Sequence, residues 1–188
     1  MIALGAFRVS VGSRMEWSPM SPEQFLVRIQ DPGLLRLLEL GGPPLTRDAR
    51  RMMLCIALQE SGPQLEARYQ NSPSSSPGPA RSFWQFESGG GCAGVLTHRA
   101  SKDLAHALCR ECTVQPHAAA VWRAMEGHDI LAAGFARLLL WTLPEPLPAM
   151  ESDGWTQYMS AWRPGKPHRD AWSRNWPVAT AATESAGV

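Results

Sequence analysis

Glu60 is the residue of this chain best placed by its neighbours to do chemistry. Ala49, Met53, Ile56 and Glu60 are spaced four, three and four apart. On a helix these residues share one face, three of them apolar and the last a carboxylate. An acid that ends a buried stripe is desolvated, and desolvation disfavours its charged form. The last turn of a helix carries the negative end of the dipole, which acts in the same direction. Both effects keep the group protonated near neutral pH, the state a general acid needs to protonate a leaving oxygen. The competing reading is a helix-end glutamate paired with Arg47, Arg50 or Arg68.

A second acid, Glu87, follows Gln85 by two, so in an extended strand both point to the same side. Glu87 is either a second catalytic carboxylate or a solvated residue before the Gly89-Gly90-Gly91 run, and Glu66 is a weaker candidate. Cleavage of a glycosidic bond usually takes two carboxylates flanking it. One suffices where the sugar's own hydroxyl attacks and leaves an anhydro end.

The helix that carries Glu60 spans about residues 47–61, capped by Thr46 and stopped by Gly62-Pro63. Before it, Ser21 caps a helix of about 22–30, and residues 32–40 form another, stopped by Gly41-Gly42-Pro43-Pro44. Residues 71–79 read as a turn-rich loop and 81–87 as a strand or irregular extended piece. Ser101 caps a helix over about 102–112, Pro116 opens one over about 117–126, and Asp129 caps a strongly apolar one over about 130–142. A short helix over 154–162 completes the set. Residues 1–14 read as an extension outside the fold, 15–177 as the catalytic domain and 178–188 as a frayed tail.

The chain has 188 residues, 44% of them apolar, enough for one domain with a real core. The formal net charge is +1 and the cations are scattered, which argues against a nucleic-acid binder. No apolar run reaches the roughly 18 residues of a membrane span. The N-terminus lacks the basic region and cleavage site of a secretory signal.

The four cysteines are too few for a disulfide scaffold. Cys109 and Cys112 have the spacing of a zinc pair, but on a helix they share a face with Ala105, which suits plain burial; the reading is no metal and no cofactor. Of eight tryptophans, Trp84 lies in the site segment and is a candidate glycan contact with Phe83, because aromatic faces stack on sugars. Trp155, Trp162, Trp172 and Trp176 read as packing. The stiff, basic loop Trp162 to His168 either grips acidic peptide stems or a partner, or is an ordinary connection.

Residues 56–62 (IALQESG) and 78–87 (GPARSFWQFE) resemble the lytic transglycosylases of the lysozyme-like superfamily. In that family a helix ends in Glu-Ser, and a Gly-Ala-x-Gly-Leu-Met-Gln segment follows after a loop. Glu60-Ser61 matches the first motif and Pro79 to Gln85 the second, with Pro79 and Ser82 in place of glycines and Phe83-Trp84 in place of Leu-Met. The later Tyr-Asn-x-Gly motif has only Phe135 as an analogue. The resemblance implies a mainly α, lysozyme-like single domain with a short extended segment beside the active-site helix. It implies Glu60 as catalytic acid/base, with Ser61 and Gln85 contacting substrate or supporting the glutamate. The partners would be peptidoglycan glycan strands. General likeness to small proteins of tailed phages adds other virion proteins as partners and delivery by the virion to the host periplasm. The alternative is a virion structural or ejection protein of the same fold without activity.

Overall fold

A computed structural model describes residues 20–65 and 78–187. The chain is mainly helical, and among the described residues there is no strand. The expected 1–14 extension, the 71–77 part of the turn-rich loop, Glu66 and Arg68 lie outside the described residues.

Helix α1 (Pro22–Phe25) opens with a reciprocal cap. Ser21 Oγ accepts from the Gln24 amide, and the Gln24 side-chain oxygen accepts from the Ser21 amide, both at 3.2 Å. The two helices expected over 22–30 and 32–40 form one helical run. α1 passes through a wide turn, Leu26–Gln30, straight into α2 (Asp31–Glu39). In that turn the Asp31 amide bonds Leu26 O, five residues back. Pro32 has no amide hydrogen and its ring crowds the preceding turn, and widening the helix there relieves both. α2 ends where Gly41 takes φ 79° and the Gly42 amide reaches back to Leu37 O at 2.8 Å.

Helix α3 (Arg47–Ser61) is the centre of the fold, capped as expected: Thr46 Oγ1 accepts from the Ala49 amide at 3.1 Å. The sequence suggests one apolar face, yet every residue from Ala49 to Leu58 is buried, Arg50 and Arg51 included. Arg50 is tolerated there because Asp31 takes its guanidinium through two bonds, one of them 3.0 Å long. Gln30 also donates to Arg50 O at 3.0 Å, so α2 and α3 are joined by polar contacts inside the core.

The cover over α3 comes from the C-terminus. Helix α9 (Arg169–Ser185) runs along it, burying Trp172, Trp176, Ala179, Ala182 and Thr183. The expected frayed tail, 178–188, is therefore helical through Ser185. Pro177 suggests a stop, but the helix continues through it because small residues beyond it seat closely on α3. Arg47 pairs with Glu184, and Arg50 donates to Gly187 O, tying down the end.

The remaining helices are α4 (Ala93–Thr97), α5 (Lys102–Glu111), α6 (Ala118–Ala124), α7 (Asp129–Trp141) and α8 (Glu151–Trp162). Two expected caps and one expected helix start differ. His128 Nδ1, not Asp129, accepts from the first turn of α7. His117 Nδ1 caps α6, which starts at Ala118. Ser101 donates its hydroxyl to Val95 O at 2.7 Å instead of capping α5. α8 crosses α9 at Gly154, where a Cβ would stand 2.4 Å from the Trp176 ring, so only glycine permits that approach.

Residues 81–86 do not form a strand. Arg81 and Phe86 make a single antiparallel bridge closed by two amide bonds of 2.9 and 2.7 Å. The chain reverses between them, with Ser82 (φ 65°) and Gln85 (φ 51°) in the left-handed region. The glycine run winds into a wide helical turn, Ser88–Cys92, which leads into α4.

Candidate active site

Glu60 is the penultimate residue of α3, and Gly62 (φ 83°) turns the chain away just after it. The carboxyl sits on the wall of a cleft of about 410 Å³. Gln85 and Glu87 from the 81–87 turn, Gly90 and Gly91, Leu139 of α7, and Trp162 to Lys166 after α8 enclose the same space. Four separate stretches of sequence thus converge on one acid.

The geometry around Glu60 is set by α8. Tyr158 donates its phenolic hydrogen to Glu60 Oε1 at 2.6 Å. Tyr158 is held in an aromatic stack: Trp172 lies at 5.0 Å and 22°, and Trp162 at 6.4 Å and 26°. Burial pushes the Glu60 carboxyl up to about 7, and the bond from Tyr158 moderates the rise by stabilising the charged form. The same environment pushes the Tyr158 phenol well above its ordinary range, chiefly by burial and then by the neighbouring carboxylate. Tyr158 therefore stays a hydrogen-bond donor at any ordinary pH. Arg47 pairs with Glu184 and Arg50 with Asp31, so neither neutralises Glu60.

Gln85 and Glu87 both line the cleft, although the extended strand that was to align them is absent. A tight turn does it instead: Gln85 Nε2 donates to Ser82 O at 2.8 Å, and Glu87 lies one residue beyond the Arg81–Phe86 bridge. Glu87 is exposed. The wall behind it is close-packed, since a Cβ on Gly91 would stand 2.6 Å from the Phe86 ring.

Two expected glycan contacts are elsewhere. Trp84 is fully buried, donating Nε1–H to Met53 O at 3.0 Å, and Phe83 is packed edge-on against Phe25 at 5.0 Å. Neither ring has a free face for a sugar, because the reversal at 81–86 turns both inward. The aromatics that line the cleft are Phe86, itself buried, and Trp162, read from sequence as packing. Its Nε1–H bonds Trp84 O at 2.8 Å and its ring meets Phe86 at 6.0 Å. Ser61 does not line the cleft; its hydroxyl donates back to Ala57 O at 2.7 Å. Phe135, the analogue of the family's tyrosine, is fully buried.

Tyr158 has no sequence signal. It is one of two tyrosines and stands 98 residues from the acid it bonds. The Trp162–His168 loop does supply Arg163 and Lys166 to the cleft. Arg163 is placed by a left-handed backbone (φ 48°, ψ 52°) that ends α8. The four cysteines are free thiols, and no group of three His, Cys, Asp or Glu able to hold a metal occurs among the described residues.

The fold and cleft together define a mainly helical protein with a half-buried acid at the wall of a polar, cationic-rimmed cleft. No family model, curated protein or solved structure matches the chain. Among the described residues no helix is long and apolar enough to cross a membrane.

Proposed function

We propose that this chain cuts the glycan strands of bacterial peptidoglycan, with Glu60 as general acid and then base. The observation that carries this reading is the Glu60 carboxyl, raised to about 7 inside the cleft it shares with Gln85 and Trp162. A carboxyl of that acidity is still substantially protonated at neutral pH, and can give its proton to a glycosidic oxygen. The resulting carboxylate can then take the proton of the attacking hydroxyl. In a lytic transglycosylase that hydroxyl belongs to the sugar and the product is an anhydro end. In a muramidase it is water, and Glu87 is the second acid. The exposed setting of Glu87 favours the first route.

Trp162 offers the aromatic surface a sugar ring packs on. Arg163 and Lys166 at the rim suit the carboxylates of peptide stems. In this reading the protein is carried by a phage virion and acts on the host wall from the periplasmic side.

The test is digestion of purified peptidoglycan by wild type and by Glu60→Gln, with the muropeptides read by mass spectrometry. Anhydro ends from wild type alone support transglycosylation, and reducing ends from wild type alone a muramidase. No release by folded wild type would overturn the enzyme reading and leave a structural or ejection protein.

A further inference from the structure

Helix α7 turns Leu139 to the Glu60 cleft and Arg137, Leu140 and Trp141 to a second cleft, of about 890 Å³. Nothing in the proposed reaction uses this second space. Its walls are largely apolar, built from Leu140, Trp141, Leu143, Pro144 and Leu147. Arg137 also lines it, the one cation of α7 and only 3% exposed.

A buried guanidinium is normally met by a carboxylate or by carbonyl oxygens. Asp31 does this for Arg50. Among the described residues Arg137 has no such partner. Its Nε is buried without an acceptor, and no carboxylate pairs with it among the described residues. The contact it does have is the face of Trp141, 5.5 Å from the guanidinium carbon. Burial pushes its acidity only to about 10, so it remains charged at neutral pH. Asp48, also on this cleft, is already bonded by Arg51 at 2.5 Å. Glu145 is exposed at the rim.

From the unpartnered guanidinium and the apolar walls around it, we propose that this cleft binds a monocarboxylate with an apolar body, the carboxylate on Arg137 and the chain along Leu140 and Leu143. The planar fork of arginine matches a carboxylate through two parallel bonds. One buried cation balances one negative charge. A phosphate dianion would keep a second charge against apolar walls; the other arginine of the cleft, Arg99, is exposed to water and offers no buried counter-charge.

The experiment is a titration of the ¹⁵N-labelled full chain with octanoate, octanol, acetate and inorganic phosphate, followed by two-dimensional NMR. Octanoate is expected to shift the Arg137 Nε–H signal and the amides of 140–147. It should bind at least tenfold more tightly than octanol, and affinity should rise about fourfold per methylene from acetate upward. Arg137→Met should weaken octanoate at least tenfold and leave octanol unchanged. Trp141→Ala, at an exposed wall position, gives a second variant should Arg137→Met not fold, and should also weaken octanoate. Equal binding of octanol and octanoate, shifts that map outside the second cleft, or phosphate displacing octanoate would each overturn the proposal.

Discussion

The hydroxyl of Tyr158 donates to Glu60 Oε1 at 2.6 Å, across 98 residues of sequence. This one bond links the end of the central helix to the aromatic stack of α8 and α9. It holds the acid in a fixed orientation toward the cleft, and it stabilises the carboxylate against the burial that opposes it.

Replacing Tyr158 by Phe removes the one of the two causes that lowers the Glu60 pKa, so that pKa rises. Activity limited by protonated Glu60 should then persist to higher pH than in wild type. A pH profile of muropeptide release measures it, and an unchanged alkaline limb would show that the bond does not act on Glu60. Loss of the bond should cost about 1 kcal/mol of stability.

Glu60 also makes stability depend on pH. Its carboxyl titrates near 4.5 when unfolded and at about 7 when folded, so between these values the folded state holds more protons. Stability therefore falls as pH rises from 4.5 to 7, by roughly 2–3 kcal/mol, and then levels off. Glu60→Gln should lack this fall and be the more stable protein at pH 8. Urea melts of both proteins at pH 5 and pH 8 test this. Parallel behaviour of the two would count against a buried acid at position 60.

Glu87 distinguishes the two chemistries. Glu87→Gln should retain most glycan cleavage if Glu60 works with the sugar's own hydroxyl. A loss of about a hundredfold or more, without change in binding, would mark Glu87 as a second catalytic acid.

The core pair predicts a purely structural effect. Asp31→Asn leaves the Arg50 guanidinium buried without its counter-charge, with side chains only 8% and 9% exposed in the pair. The cost should be about 3–5 kcal/mol. Denaturant unfolding should show it, while the acidity of Glu60 stays unchanged because the pair lies at the opposite end of α3.

The helices were legible where local chemistry decides them. Thr46 and Gly62 bound α3, and Ser21 starts α1. Legibility failed at the break expected between residues 30 and 32 and at the frayed tail expected from 178, where the helical run continues through Pro32 by a widened turn and through Pro177 by close packing on α3. It failed again at 81–87, where alternating bulky residues suggest extension. Left-handed Ser82 and Gln85 reverse the chain, a geometry that no glycine announces.

For the site, the sequence by itself determined that an acid would end a buried helix, because a 3.6-residue period places Glu60 on the line of Ala49, Met53 and Ile56. It also supplied Gln85 and Glu87, which do reach the cleft. Tertiary structure alone decided that Trp84 turns inward and Trp162 outward, and that Tyr158 meets Glu60. Each depends on how a turn or helix docks against elements 31 to 98 residues away. Residue types show which side chains can bury a ring or give a proton, but only the packed core determines which of several tryptophans and tyrosines is left facing the cleft.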